Sequence, residues 1–207
     1  MNRLKFAGQL IDKLSDINSV LDVGCRDCEL KYWVPPNIKY FGNDLYQNKL
    51  GAVDYVGDMS MLEVDQKFDL VVALDILEHV ENPTLLFDKL LSLANVALII
   101  SLPNCYDLKN RLKFLMGGYL GGKYAFTSQV IEDRHRWIMS RPEIRQFYFD
   151  KALQHHVSGK SLFDMKYGDP NGSYISRMRA VARILPPNLS TETVFGVFVK
   201  KTGAIFP

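Results

Sequence analysis

The 207-residue sequence has few cysteines, no long apolar run, and no stretch rich in serine, proline or glycine. No uninterrupted apolar segment, Val96 to Ile100 included, comes near the roughly 20 residues that a helix needs to cross a bilayer. The N-terminus reads Met1-Asn2-Arg3-Leu4-Lys5-Phe6 and continues into a mixed polar pattern, not an apolar targeting segment. A cytoplasmic location is expected on that basis. Cys25, Cys28 and Cys105 are too few, and odd in number, for a disulfide framework. A large charge excess is also missing, since the formal net charge is +2. With 47% apolar and 23% charged residues the composition excludes extended disorder, and the length suits one domain with a sizeable core.

The charge that is present is unevenly placed. Up to position 104 there are 9 basic and 15 acidic residues; beyond it there are 16 and 8. The basic half either meets an anionic partner or simply presents solvated helix faces.

Apolar residues at Leu4, Ala7, Leu10, Ile11 and Leu14 have helical spacing. Strands are expected at Ser19–Gly24, Lys39–Leu45, Asp54–Gly57, Phe68–Asp75 and Val96–Leu102. Between the last two, Asn82 and Pro83 have the residue types of an N-cap and first helical position, opening a helix through Leu93. Alternating strands and helices argue for a parallel sheet covered on both faces. Past Pro103-Asn104 the rhythm changes. A helix is expected over Tyr106–Met116, then an aromatic, glycine-bearing stretch to Trp137. Ser140-Arg141-Pro142-Glu143 has capping-box spacing and opens a helix to about His156. A sixth strand fits Leu162–Tyr167, a basic amphipathic helix Ser173–Leu185, and a last strand Glu192–Lys200. The basic helix carries Arg177, Arg179 and Arg183 beside Ile175, Met178, Val181 and Leu185. It is expected to cover the sheet; peripheral contact with a membrane surface is the alternative.

In an open parallel sheet, ligands bind beyond the carboxyl ends of the strands, and the polar residues fall there. They are Gly24-Cys25-Arg26-Asp27-Cys28-Glu29, then Asp44-Leu45, Asp58-Met59, and Asp75 with Glu78-His79. A carboxylate ending the second strand suits a ribose diol, because it accepts two hydrogen bonds. Asp58 is placed to accept from an adenine amino group. A dinucleotide site would need G-x-G-x-x-G, but those positions read Gly24, Arg26 and Glu29, and a glutamate would repel a pyrophosphate.

Val20-Leu21-Asp22-Val23-Gly24-Cys25, Asp44, Phe68-Asp69-Leu70-Val71-Val72-Ala73 and Leu77-Glu78-His79-Val80, in this order and spacing, resemble the class I S-adenosylmethionine-dependent methyltransferases. Asn82-Pro83 and Leu102-Pro103-Asn104 look like the small-molecule branch of that family. The resemblance implies a doubly wound, mostly parallel seven-stranded α/β sheet with helices on both faces and an antiparallel last strand. It implies one domain over 1–207, with a lid and acceptor-binding insertion at about 105–140. It places Asp22, Gly24, Cys25 and Arg26 around the methionine part of S-adenosylmethionine, and Asp44 with Leu45 at the ribose. Asp58 and Met59 would flank the adenine, backbone at Leu74-Asp75 would meet the methionine amino group, and His79 would lie near the transferred methyl.

Arg26 and Cys28 stand where the family usually has glycine. The Arg26 guanidinium either swings away or pairs with the cofactor's carboxylate. A loop so altered also admits a catalytically silent, methyltransferase-like binding subunit. Cys25 and Cys28 have C-x-x-C spacing, but zinc there would need two more ligands, with only Cys105 or His79 in prospect, so no metal is expected.

Methyl transfer needs alignment, exclusion of water and sometimes a base. The segment after the fifth strand offers Tyr106, Tyr119, Tyr124, Phe126 and Trp137 with hinge glycines, and Asp133-Arg134-His135-Arg136-Trp137 is its densest polar cluster. His79 and His135 are the candidate catalytic pair. Tyr106, Tyr124, Arg136 and Trp137 are the candidate acceptor contacts. Arg134, Arg136, Arg141 and Arg145 could form a positive rim for a small anionic acceptor, such as an activated sugar or carrier-linked compound. No nucleic-acid-binding module accompanies them, so nucleic acid is not expected.

Overall fold

The computed structural model describes residues 3–131, 133–166 and 185–200. Along them lie α1 (Arg3–Ile11), β1 (Ser19–Val23), β2 (Lys39–Asp44), β3 (Tyr55–Val56), β4 (Phe68–Leu74), α2 (Pro83–Leu93) and β5 (Ala94–Pro103). Then follow α3 (Leu108–Leu115), α4 (Arg141–Gln154), β6 (Gly159–Lys166), α5 (Pro187–Ser190) and β7 (Thr191–Val199). The seven described strands form one sheet in the order β3-β2-β1-β4-β5-β7-β6. Pairings among β1 to β5 are parallel, whereas β7 runs antiparallel to both β5 and β6. The expected sheet, mostly parallel with its last strand reversed, is the one observed.

Alternation along the strands divides the core into two layers. Leu21, Val71, Leu98, Ile100, Val194 and Phe198 face α2 and α4, where they meet Leu86, Phe87, Leu90, Ile144 and Tyr148. Val20, Leu70, Val72, Ile99, Phe195 and Val197 face α1 and pack on Ala7, Leu10 and Ile11. β4 and β5 are buried on both sides, which is why they read as continuous apolar runs. Gly196 of β7 is a point of close approach to α4. A Cβ there would stand 3.0 Å from Tyr148 Cδ2 and 2.8 Å from Phe198 Cε2.

Both helix starts read from the sequence are present. The Asn82 side chain accepts from the Leu85 amide at 3.0 Å, with Pro83 opening α2. Ser140 and Glu143 close a reciprocal capping box at α4. The helix expected from Tyr106 starts later, at Leu108, because Asp107 accepts from the Asn110 amide at 2.8 Å and caps it. The sixth strand starts earlier, at Gly159, since β7 offers a partner as far as Val199. Its expected last residue, Tyr167, and the expected helix Ser173–Leu185, apart from Leu185, lie outside the described residues. No helix among the described residues is long and apolar enough to cross a membrane.

From β1 the chain builds outward through β2 to β3, then returns to lay β4 on the other side of β1. The reversal leaves a crevice at the carboxyl ends of β1 and β4.

Candidate active site

That crevice is a cavity of about 1110 Å³. Its floor is the turn after β1, where the amides of Gly24 and Cys25 both donate to the Asn43 carbonyl, at 2.8 and 2.9 Å. Gly24 has φ +76°, and a Cβ there would stand 2.0 Å from Ile76 Cδ1, so no other residue fits without displacing Ile76. Arg26 and Cys28 also adopt left-handed backbone, with φ of 49° and 57°. The loop therefore keeps the glycine-like path while carrying side chains at both positions, at about 1 kcal/mol of strain each. The Arg26 amide donates to Asp44 Oδ2 at 2.9 Å, and its guanidinium reaches Asp133 Oδ2 at 2.7 Å. That guanidinium is thus engaged by a carboxylate of the segment after β5.

Asp44, Leu45, Asp58 and Met59 line the same cavity at the ends of β2 and β3. Met59 is buried, and Asp58 is exposed, with its Oδ1 accepting from the Ser60 amide. Below them Asp22 accepts from the Tyr40 hydroxyl at 2.6 Å. Burial raises the Asp22 carboxyl to about 7, against the opposing pull of the Tyr40 hydrogen bond and with a further push from Asp44.

At the end of β4, Leu74 lines the wall and Asp75 turns with φ 55°. Asp75 Oδ1 accepts from Ser101 Oγ at 2.6 Å, while Oδ2 pairs with Arg3. Arg3 is a wall residue that sequence reasoning missed, because only folding brings α1 to the end of β4. Next come His79 and His135, their rings 4.4 Å apart and near perpendicular, with the Tyr124 ring tilted against His135 at 4.5 Å. His79 Nδ1 lies 3.1 Å from the Arg134 carbonyl and 3.2 Å from Asp133 Oδ1. Burial lowers both imidazoles, His135 to about 4, so both are neutral near pH 7; for His79 the nearby Asp133 partly offsets it. Glu78 is fully buried beside them, and neither of its carboxylate oxygens has a hydrogen-bond partner. Burial, with Asp75 nearby, holds its carboxyl well above the usual range.

The predicted residues are thus brought largely together: Asp22, Gly24, Cys25, Arg26, Asp44, Leu45, Asp58, Met59, Leu74, Asp75, His79, His135, Tyr124 and Arg136 share the wall. Tyr106 and Trp137 do not line it. The Trp137 indole donates to the Val80 carbonyl at 2.9 Å, and Tyr106 sits at the approach to α3, its carbonyl held by Arg111. Arg141 does not join a positive rim either, because Asp164 on β6 takes its guanidinium through two nitrogens. The Cys25 and Cys28 thiols are 3.6 Å apart, buried and free, and pack on Val53 and Tyr40. Cys105 instead meets the Tyr124 hydroxyl at 3.1 Å. Besides Arg3, the structure adds Lys123, which pairs with Asp133 across the mouth.

Several solved structures share this fold. The plantazolicin methyltransferase BamL, in complex with a triazolic desmethylPZN analog and SAH, is 16% identical over 97% of this chain and 85% of its own, with a TM-score of 0.61. Magnesium protoporphyrin IX methyltransferase from Synechocystis PCC 6803, with bound SAH, is 17% identical over 96% and 82%, at 0.58. The small RNA methyltransferase HEN1 is 17% identical over 99% of this chain but 26% of its own, at 0.65. No curated protein matches the chain in sequence. The family described as "Methyltransferase domain" matches residues 2–153. The chain belongs to that family, as a class I S-adenosylmethionine-dependent methyltransferase.

Proposed function

We propose that this enzyme methylates an oxygen or nitrogen of a small, anionic metabolite, an activated sugar or a carrier-linked compound being the class that fits. The observation that carries this reading is one cavity faced by Asp44 at one end and by His79 and His135 at the other. Asp44 takes the ribose diol of S-adenosylmethionine, and Asp58 and Met59 flank its adenine. The methionine end is a zwitterion, for which Arg3 and Asp75 are a matched pair: guanidinium to carboxylate, carboxylate to ammonium. Gly24 supplies the left-handed turn at the floor of the cavity.

The sulfonium methyl then faces His79, His135 and Tyr124. The acceptor's lone pair forms the new bond as the carbon–sulfur bond breaks, the acceptor's proton passes to a neutral imidazole or to water, and S-adenosylhomocysteine leaves as a neutral thioether. Segment 105–140 acts as the lid, and Arg26, Lys123 and Arg136 on the wall, which pair with Asp133 and Glu81, would exchange those partners for one or two anionic groups rather than for a long polyanion. The likeness of fold to enzymes named for plantazolicin, protoporphyrin and small RNA leaves acceptor size to the lid rather than to the sheet.

Turnover tests the proposal. Incubation with S-adenosylmethionine and a pooled metabolite extract should release S-adenosylhomocysteine, and His79→Ala should abolish release while still binding the cofactor. Binding without turnover across broad acceptor pools would instead make the chain a silent binding subunit.

A further inference from the structure

Glu78 presents a problem that the methyltransferase reading leaves unsolved. It is 0% exposed, both side-chain oxygens lack a partner, and burying an unpaired carboxylate is costly. Neighbouring carboxylates are already compensated, Asp75 by Arg3, and Asp133 by Arg26 and Lys123. Within ion-pair distance Glu78 has, among the described residues, the ring of His79, whose Nε2 stands 3.8 Å from Oε1. His135 Nδ1 is likewise buried and without a partner.

One ligand atom from each of Glu78, His79 and His135 lies within 4.8 Å of the other two. Modest side-chain rotation closes that spacing to the roughly 3.3 Å between neighbouring donors on a tetrahedral ion. His79 is also oriented for such a role. Its Nδ1 is engaged by the Arg134 carbonyl and Asp133, which leaves Nε2 directed toward Glu78. Outer partners of this kind fix the ring of a metal-ligating histidine.

We propose that Glu78, His79 and His135 bind a divalent first-row transition ion. Two imidazoles and one carboxylate suit zinc, cobalt or manganese better than magnesium or calcium, which take oxygen ligands. Three protein donors leave a coordination position open to the cavity, as in catalytic rather than structural sites. This deepens the methyltransferase reading and rests on it for its consequence: the acceptor is methylated on a hydroxyl oxygen that occupies the open position. Coordination promotes loss of the hydroxyl proton to water. The oxygen then forms the carbon–oxygen bond as carbon–sulfur breaks, giving a methyl ether and S-adenosylhomocysteine with no change of oxidation state.

The test uses the whole chain, stripped with a chelator and titrated with cobalt(II) alone. One equivalent should bind with visible ligand-field bands and be displaced by zinc. Glu78→Gln and His135→Ala should each weaken binding at least about tenfold, and both should still bind S-adenosylhomocysteine, which shows that they fold. The proposal is overturned by no stoichiometric cobalt binding, by titrations unchanged in both variants, or by a thiolate charge-transfer band that vanishes in Cys25→Ser. Calorimetry of S-adenosylhomocysteine with the stripped protein separates the two ideas: heat without cobalt binding sinks the metal site alone, and cobalt binding without heat sinks the cofactor reading alone.

Discussion

Arg26 Nη2 and Asp133 Oδ2 stand 2.7 Å apart, joining the turn after β1 to the segment after β5 across the mouth of the cavity. Both side chains are substantially exposed, so the pair contributes at most about 1 kcal/mol. Its significance is that it ties the cofactor loop to the lid. Arg26→Gly loses the pair but relieves the left-handed backbone at that position, and the two effects are of similar size. Its urea midpoint should stay close to wild type, while limited proteolysis within residues 120–131 accelerates. A stable variant with unchanged cleavage would show that the pair does not hold the lid.

Asp44→Asn keeps an oxygen to accept the Arg26 amide but removes the charge facing the cavity. Hydrogen bonds to charged groups contribute about 1.5–3 kcal/mol, so affinity for S-adenosylhomocysteine should fall about 10- to 100-fold by calorimetry. An unchanged affinity would place the ribose elsewhere.

Gly24→Ala meets two separate obstacles, the positive φ and Ile76 Cδ1 at 2.0 Å. Destabilisation of about 1–3 kcal/mol is expected from the overlap alone. The double variant with Ile76→Ala should recover part of the loss, and the remainder measures the backbone. Full recovery would mean that the left-handed conformation costs nothing there.

Asp22 fixes a pH dependence. Its folded carboxyl titrates at about 7 against an ordinary 3.8, so between those values the native state holds a proton that the unfolded chain has released. The group's stabilising contribution is complete below about pH 4 and is lost as pH rises through 7. Asp22→Asn, which can still accept from Tyr40, removes this loss. Urea unfolding at pH 5 and pH 8 should show the variant gaining on wild type with rising pH, by about 2–4 kcal/mol at most. A gap independent of pH would mean that Asp22 is ionised throughout.

Much of this was legible locally. Strand alternation, the Asn82-Pro83 start and the Ser140–Glu143 capping box depend on neighbours a few residues apart, and each was found where the pattern put it. The order Asp22, Gly24, Asp44, Asp58, Glu78-His79 identified the family because each residue ends or follows a strand of one parallel sheet.

What the sequence determined by itself was therefore the loop after β1 and its class of chemistry. Tertiary structure decided the rest. Packing put Trp137 outside the cavity, although Arg136 beside it in sequence lines the wall, and it left Tyr106 at the approach to α3. Chain reversal brought Arg3 to Asp75, 72 positions away, and His135 to within 4.4 Å of His79. The unpartnered state of Glu78 is a property of what surrounds it in space, and no spacing along the chain encodes it.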